Sequence, residues 1–254
     1  MTFLAFGYHT VSNLLNSPYF QIKKIFLLEE KYKTDKRLFQ LLKEKSIVYQ
    51  LLTKEQFSRH SFPKQNQGIV ALIEDYEYVP LNNLLAKKPQ REFPLLVMLD
   101  RIEDPHNLGA IWRTGAALTI DGIIIGQKNQ VPVNGTAVKV SAGGAAYVPV
   151  CQVNSLEATL NELKKRGYQI VSTVCEPNSS PQQNFNFNSP LCLIFGNEHG
   201  GIRPPLLKKS DYALTIPLRN QITSLNVSVS CGIILIQVVS DWENKPSKVK
   251  IKCH

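Results

Sequence analysis

The chain has 254 residues, 43% of them hydrophobic and 19% charged, a globular composition with length for one large domain or two smaller ones. No apolar run approaches the ~20 residues that span a bilayer, and the opening MTFLAFGYHTVSNLL has no basic region ahead of an apolar stretch, so a cytoplasmic location with no membrane partner is expected. The net charge of +9 favours a polyanionic partner, and it is shared: residues 1–75 hold 11 Lys/Arg against 7 Asp/Glu, the remainder 18 against 13.

In chain order, a helix is expected near His9–Asn16 and a strand at Lys24–Leu28. Asp35–Lys45 carries Leu38, Leu41 and Leu42 at helical spacing. Ile47–Leu51 reads as a strand, Thr53 with Gln56 as a capping box opening a short helix, and Gly68–Ile73 as a buried strand. Residues 76–93, with Pro80 and Lys87-Lys88-Pro89, read as a linker holding one helical turn. From residue 94 a second alternation begins. LLVMLD (Leu95–Asp100) is a central parallel strand, Ile111–Leu118 a helix, and Gly122–Ile125 and Tyr147–Val153 are strands. Asn154 with Glu157 suggests a capping box for a helix that runs to Arg166 and stops at Gly167. Tyr168–Val174, Leu191–Phe195 and Tyr212–Pro217 complete the strands. The closing helix, Leu225–Trp242, is apolar on nearly all sides and is expected to be buried, in its own domain or at a subunit interface. Such alternation implies an α/β fold with a parallel sheet covered on both faces.

Several chemistries have no starting point. The phosphate cradles G-x-x-x-x-G-K-[ST] and G-x-G-x-x-G are absent, as are H-E-x-x-H and G-x-S-x-G. Cys151, Cys175, Cys192, Cys231 and Cys253 show no metal-ligand spacing and read as small core residues in a reducing compartment.

Three segments of the second region carry polar residues in unusual company. In DPHNLGAIWRTGAA (Asp104–Ala117), Asn107 can cap the following helix, Gly109 permits close backbone approach, and Arg113 lies six positions past Asn107. Taken alone, Arg113 reads as a side chain that snorkels or pairs with a carboxylate. In LIFGNEHGGI (Leu193–Ile202), glycines surround Glu198, which fits either a backbone shaped for a ligand or a plain turn. In IPLRNQITSLNVSVSCG (Ile216–Gly232), Ser224, Asn226 and Ser228 stand where a helix begins; Ser224 can be an N-cap, while Asn226, one turn in, needs a partner for its amide.

Together and in this order these segments resemble the motifs of the SpoU (TrmH) family of the knotted SPOUT methyltransferases, over Leu95 to about Trp242. FGYHTVSNLL (Phe6–Leu15) and NQGIVALI (Asn66–Ile73) look like the small RNA-binding domain, similar to a ribosomal-protein fold, of the branch that methylates a guanosine ribose in 23S rRNA. The resemblance implies a knotted (trefoil) C-terminal parallel-sheet domain at residues 94–254. A smaller N-terminal α/β RNA-binding domain would occupy residues 1–75, and the chain would be a homodimer. It implies S-adenosylmethionine as cofactor, with Gly196, Ile216 and Leu225 holding its adenine and methionine parts. Asn107, Arg113, Glu198, Ser224 and Asn226 fall on the family's active-site positions; His106 and His199 read as local polar contacts.

The implied reaction methylates a ribose 2′-hydroxyl, a poor nucleophile until its developing charge is stabilised. A guanidinium with pKa above ~12 is an awkward base, so Arg113 is expected to stabilise the incipient alkoxide and grip a phosphate. Alternative readings keep the chemistry with tRNA as substrate, or make the chain a non-catalytic RNA-binding ribosome-assembly factor.

Overall fold

A computed structural model describes residues 2–174, 180–181, 189–197, 200–220 and 222–244. In chain order it contains β1 (Phe3–Phe6), α1 (Tyr8–Leu14), β2 (Phe20–Leu28), α2 (Glu29–Tyr32), α3 (Lys36–Glu44), β3 (Tyr49–Leu52), α4 (Lys54–Arg59) and β4 (Ile69–Tyr76). Then come α5 (Leu81–Ala86), β5 (Leu95–Asp100), α6 (Pro105–Ala117), β6 (Gly122–Gly126), α7 (Gly135–Val140), a 3₁₀ turn (Gly144–Ala146) and β7 (Val150–Val153). The rest are α8 (Leu156–Lys165), β8 (Gln169–Thr173), β9 (Ser180–Pro181), β10 (Leu191–Gly196), α9 (Pro204–Leu207), β11 (Tyr212–Thr215) and α10 (Val227–Asn244). The chain forms two compact units that interleave in sequence. One is the chain up to Pro80 with Asp104–Ala117 and Val131–Val150; the other is Leu81–Glu103, Leu118–Gln130 and the chain from Cys151.

The first unit holds a four-stranded sheet, β1-β4-β2-β3, antiparallel except for β2 with β3. Alternate residues of β2 face a core where Ile25 and Leu27 have no exposed surface, and α3 buries its Leu38 and Leu42. Thr53 forms the expected capping box with Gln56. In this unit, elements beyond those expected are β1, which pairs with β4, the short α2, the 3₁₀ turn, and α7, which starts when the Asn134 side chain accepts from Ala137 N. The α6 and α7 helices meet at Gly109, where a Cβ would lie 2.6 Å from the Ala137 carbonyl oxygen, so the close approach expected of this glycine is present.

The second unit is built on a sheet ordered β7-β6-β5-β10-β8-β11-β9, with every pairing from β6 to β9 parallel. All six residues of β5 are buried, as expected of a central parallel strand. Carboxylates tie down strand starts: Asp121 accepts from Leu95 N at 2.7 Å and Asp211 from Ile170 N at 2.8 Å.

Local corrections concern caps and ends. Ser155, not Asn154, caps α8 by accepting from Ala158 N; the helix does stop at Gly167, at φ 81°. The strand expected from Tyr147 begins at Val150, because Gly143 at φ 94° turns the chain into the 3₁₀ turn. The closing helix is not buried all round: Val229 and Ile236 are each half exposed. Cys151, Cys192 and Cys231 are buried and free; burial pushes the Cys151 thiol up to about 11 and the other two higher still, so none is a ready nucleophile. Cys175, Cys253 and the lysine-rich tail lie outside the described residues. Among the described residues, no helix is long and apolar enough to cross a membrane, and no His/Cys/Asp/Glu cluster could hold a metal.

Candidate active site

Parallel sheets present ligand sites beyond the carboxyl ends of their strands. In the second unit a cavity of about 380 Å³ lies there, between the ends of β8 (Thr173, Val174), β10 (Phe195, Gly196, Asn197) and β11 (Leu214, Ile216). Further wall comes from the Gly200–Ile202 loop, from Ser224 and Leu225 ahead of α10, and from Val227, Ser230 and Ile234 on it.

The loop after β10 is fixed in three ways. Asn197 and Gly201 exchange backbone hydrogen bonds (Asn197 N–H to Gly201 O at 3.1 Å, Gly201 N–H to Asn197 O at 2.8 Å), closing a tight turn with Gly201 at φ 57°. The Asn197 amide donates to the Arg101 carbonyl at 2.8 Å, tying the turn to the end of β5. Asp100, with no exposed surface, accepts from Arg203 N and from Arg203 Nε, each at 2.8 Å. Arg203 Nη1 also lies 3.6 Å from Glu157. The turn folds back so closely on Gly196 that a Cβ there would sit 2.5 Å from the Gly201 carbonyl oxygen. A glycine is therefore required at the floor of the cavity.

Of the residues singled out in the sequence, Gly196, Ile216, Ser224 and Leu225 come together around this cavity. Asn226 adjoins it and is not one turn into a helix: it stands just ahead of α10, and its side-chain oxygen accepts from Ser228 N at 2.9 Å and its carbonyl from Ser230 N at 3.0 Å. Asn226 is thus the capping residue, and the exposed Ser224 is not. Glu198 and His199 lie outside the described residues. Asn107 and Arg113 belong to the first unit, on α6. The helix begins at Pro105, so the 6% exposed Asn107 lies within its first turn and is not its cap. Arg113 is exposed, and among the described residues no carboxylate pairs with it. Its backbone is held by the 3₁₀ turn, since a Cβ on Gly144 would lie 3.0 Å from Arg113 Cα.

Asp100, Asn197 and Arg203 shape the loop and were not singled out. Asp100 had a signal, a carboxylate closing an otherwise apolar buried run. Its partner, 103 residues further on, had none.

The chain matches the model of the SpoU rRNA Methylase family over residues 94–236 and that of RNA 2'-O ribose methyltransferase substrate binding over residues 4–79. It is 34% identical over 237 residues to the 23S rRNA (guanosine-2'-O-)-methyltransferase RlmB of Coxiella burnetii, covering 92% of this chain and 93% of that one. It is 36% identical over 212 residues to the uncharacterized tRNA/rRNA methyltransferase MG252 of Mycoplasma genitalium, covering 82% and 86%. Its fold is that of the SpoU methyltransferase AviRb from Streptomyces viridochromogenes, solved with the cofactor AdoMet, with a TM-score of 0.79 at 21% identity over 96% and 91% of the two chains. The chain belongs to the SpoU rRNA methylase family and is an RNA 2′-O-ribose methyltransferase.

Proposed function

We propose that the chain methylates the ribose 2′-hydroxyl of a guanosine in 23S rRNA, with S-adenosylmethionine as methyl donor. The observation that carries the rRNA target is the likeness to RlmB, which runs through both matched regions and nearly the full length of both chains. A tRNA target is the second reading, since the description of MG252 names tRNA and rRNA alike.

The cavity fits the cofactor in kind. Apolar side chains (Ile202, Leu214, Ile216, Leu225) suit an adenine and the methylene groups beside the sulfonium, and the strand-end backbone with Ser224 offers polar groups for its amino-acid end. Gly196, Ile216 and Leu225 are the residues proposed to hold it. When bound, S-adenosylmethionine supplies a sulfonium methyl that needs in-line presentation to the attacking oxygen. Arg113, exposed on α6, stabilises negative charge on that oxygen and grips a neighbouring phosphate; a guanidinium stays protonated, so the hydroxyl proton passes to solvent water as the C–O bond forms and the methyl–sulfur bond breaks. Asn226 holds the start of α10, which keeps Ser224 and Leu225 in the cavity wall. Asn107 and Glu198 are proposed to orient substrate and loop.

Titration calorimetry with S-adenosylmethionine tests the cofactor assignment. The wild-type chain is expected to bind it, and Gly196→Ala to bind at least tenfold more weakly, because the new methyl displaces the turn. A wild-type chain without affinity for the cofactor contradicts the assignment.

A further inference from the structure

We propose that the ring of Tyr147 is a stacking platform for an unstacked base of the RNA substrate, held beside Arg113; this rests on the RNA methyltransferase reading above. At 64% exposure Tyr147 is the most exposed large apolar side chain among the described residues. Tyr147 is clearly more exposed than the other exposed tyrosines, Tyr49 and Tyr212, and bases stack on such rings in single-stranded RNA recognition.

Its backbone is clamped to the helix that carries Arg113. The Tyr147 N–H donates to Gly144 O at 3.0 Å and closes the 3₁₀ turn. Gly144 packs flat on α6: a Cβ there would meet Arg113 Cα at 3.0 Å, Ala116 Cβ at 3.1 Å and Trp112 O at 3.2 Å. Tyr147 directly follows this turn, so its backbone lies three residues from the point where the chain packs against Arg113. The next residue is pinned as well, because the buried Trp112 indole donates to Val148 O at 2.8 Å. On the other side of the turn, Gly143 lies directly against Asn13 of α1, in the substrate-binding region. The backbone on either side of Tyr147 is therefore fixed against α1 and α6, while the side chain itself is largely exposed.

The chemistry asks for such a group. A ribose 2′-hydroxyl is reached most readily on a nucleotide drawn out of its stack, and a replacement stack offsets the lost one. A planar ring next to a guanidinium offers a face to the base and a cation to its phosphate.

Two measurements with an unmodified 23S rRNA fragment transcribed in vitro test the proposal: equilibrium binding by fluorescence anisotropy, and steady-state methyl transfer. Tyr147→Ala and Tyr147→Leu are expected to weaken RNA binding and raise KM for RNA by about tenfold, with kcat within about twofold, because stacking holds substrate and transition state alike. Tyr147→Phe and Tyr147→Trp are expected to restore both. Sedimentation and the melting temperature should move little, since the side chain is largely exposed. Wild-type RNA affinity in Tyr147→Ala overturns the proposal whatever the methyl-transfer result, and so does a change of oligomeric state in that variant. If the wild type binds RNA without methylating it while Tyr147→Ala loses binding, the reaction assignment fails and the platform stands.

Discussion

Asp100 is a carboxylate with no exposed surface, held by two hydrogen bonds from one arginine. The arginine side chain is 36% exposed and has Glu157 within reach, so the two partners are not equivalent. Removing the arginine head leaves the buried carboxylate to the residue-203 backbone N–H and the more distant Arg101 Nε at 3.8 Å; removing the carboxylate leaves a cation that water can solvate. Arg203→Ala is therefore expected to cost about 3 kcal/mol in chemical denaturation, and Asp100→Asn clearly less. Equal costs would mean that the pair is not the clamp of the loop after β10. At this scale the sequence was partly legible. Residue types that serve a close backbone approach, such as Gly196 under its turn and Gly109 between α6 and α7, announce themselves because only glycine fits there. Caps were misplaced by one or more positions at Asn154, Asn107 and Ser224, because neighbouring Ser, Asn and Asp compete for one role and local sequence does not choose among them.

The helix α10 presents two faces. Cys231, Ile234, Leu235 and Val238 are buried, whereas Val229 and Ile236, seven residues apart and so on one stripe, are each half exposed. An exposed stripe of β-branched residues on a helix this apolar favours cover by a second copy, the dimer that the family resemblance implies. Sedimentation is expected to show a dimer, and Ile236→Lys a shift toward monomer; a monomeric wild type would contradict this. Long elements with a clear apolar period or a fully apolar run, such as α3 and β5, were legible. The 3₁₀ turn and α7 were not, for a physical reason: GTAVKV opens on glycine and carries β-branched residues of low helical propensity, and the Asn134 cap and packing on α6 hold it helical.

At the scale of the molecule, motif order proved more informative than any single motif. Arg113 alone reads as a surface side chain, and Ser224 alone as a cap. Only the succession of three segments across the region from Leu95 to Trp242 identified the family, and the family model matches over residues 94–236. The interleaving of the two compact units could not be read from local pattern, because α6 and the 3₁₀ turn group with a region far from them in sequence. Basic charge spread over both parts of the chain fits a polyanionic substrate and does not choose between RNA classes. The most direct test is transfer of labelled methyl from S-adenosylmethionine to unmodified rRNA and tRNA, with wild type and Arg113→Lys side by side. The expected result is an alkali-resistant label at a guanosine of 23S rRNA, with turnover at least about a hundredfold lower in Arg113→Lys because a point charge does not reproduce the guanidinium fork. Label confined to tRNA, or near-normal turnover in the lysine variant, would contradict the assignment.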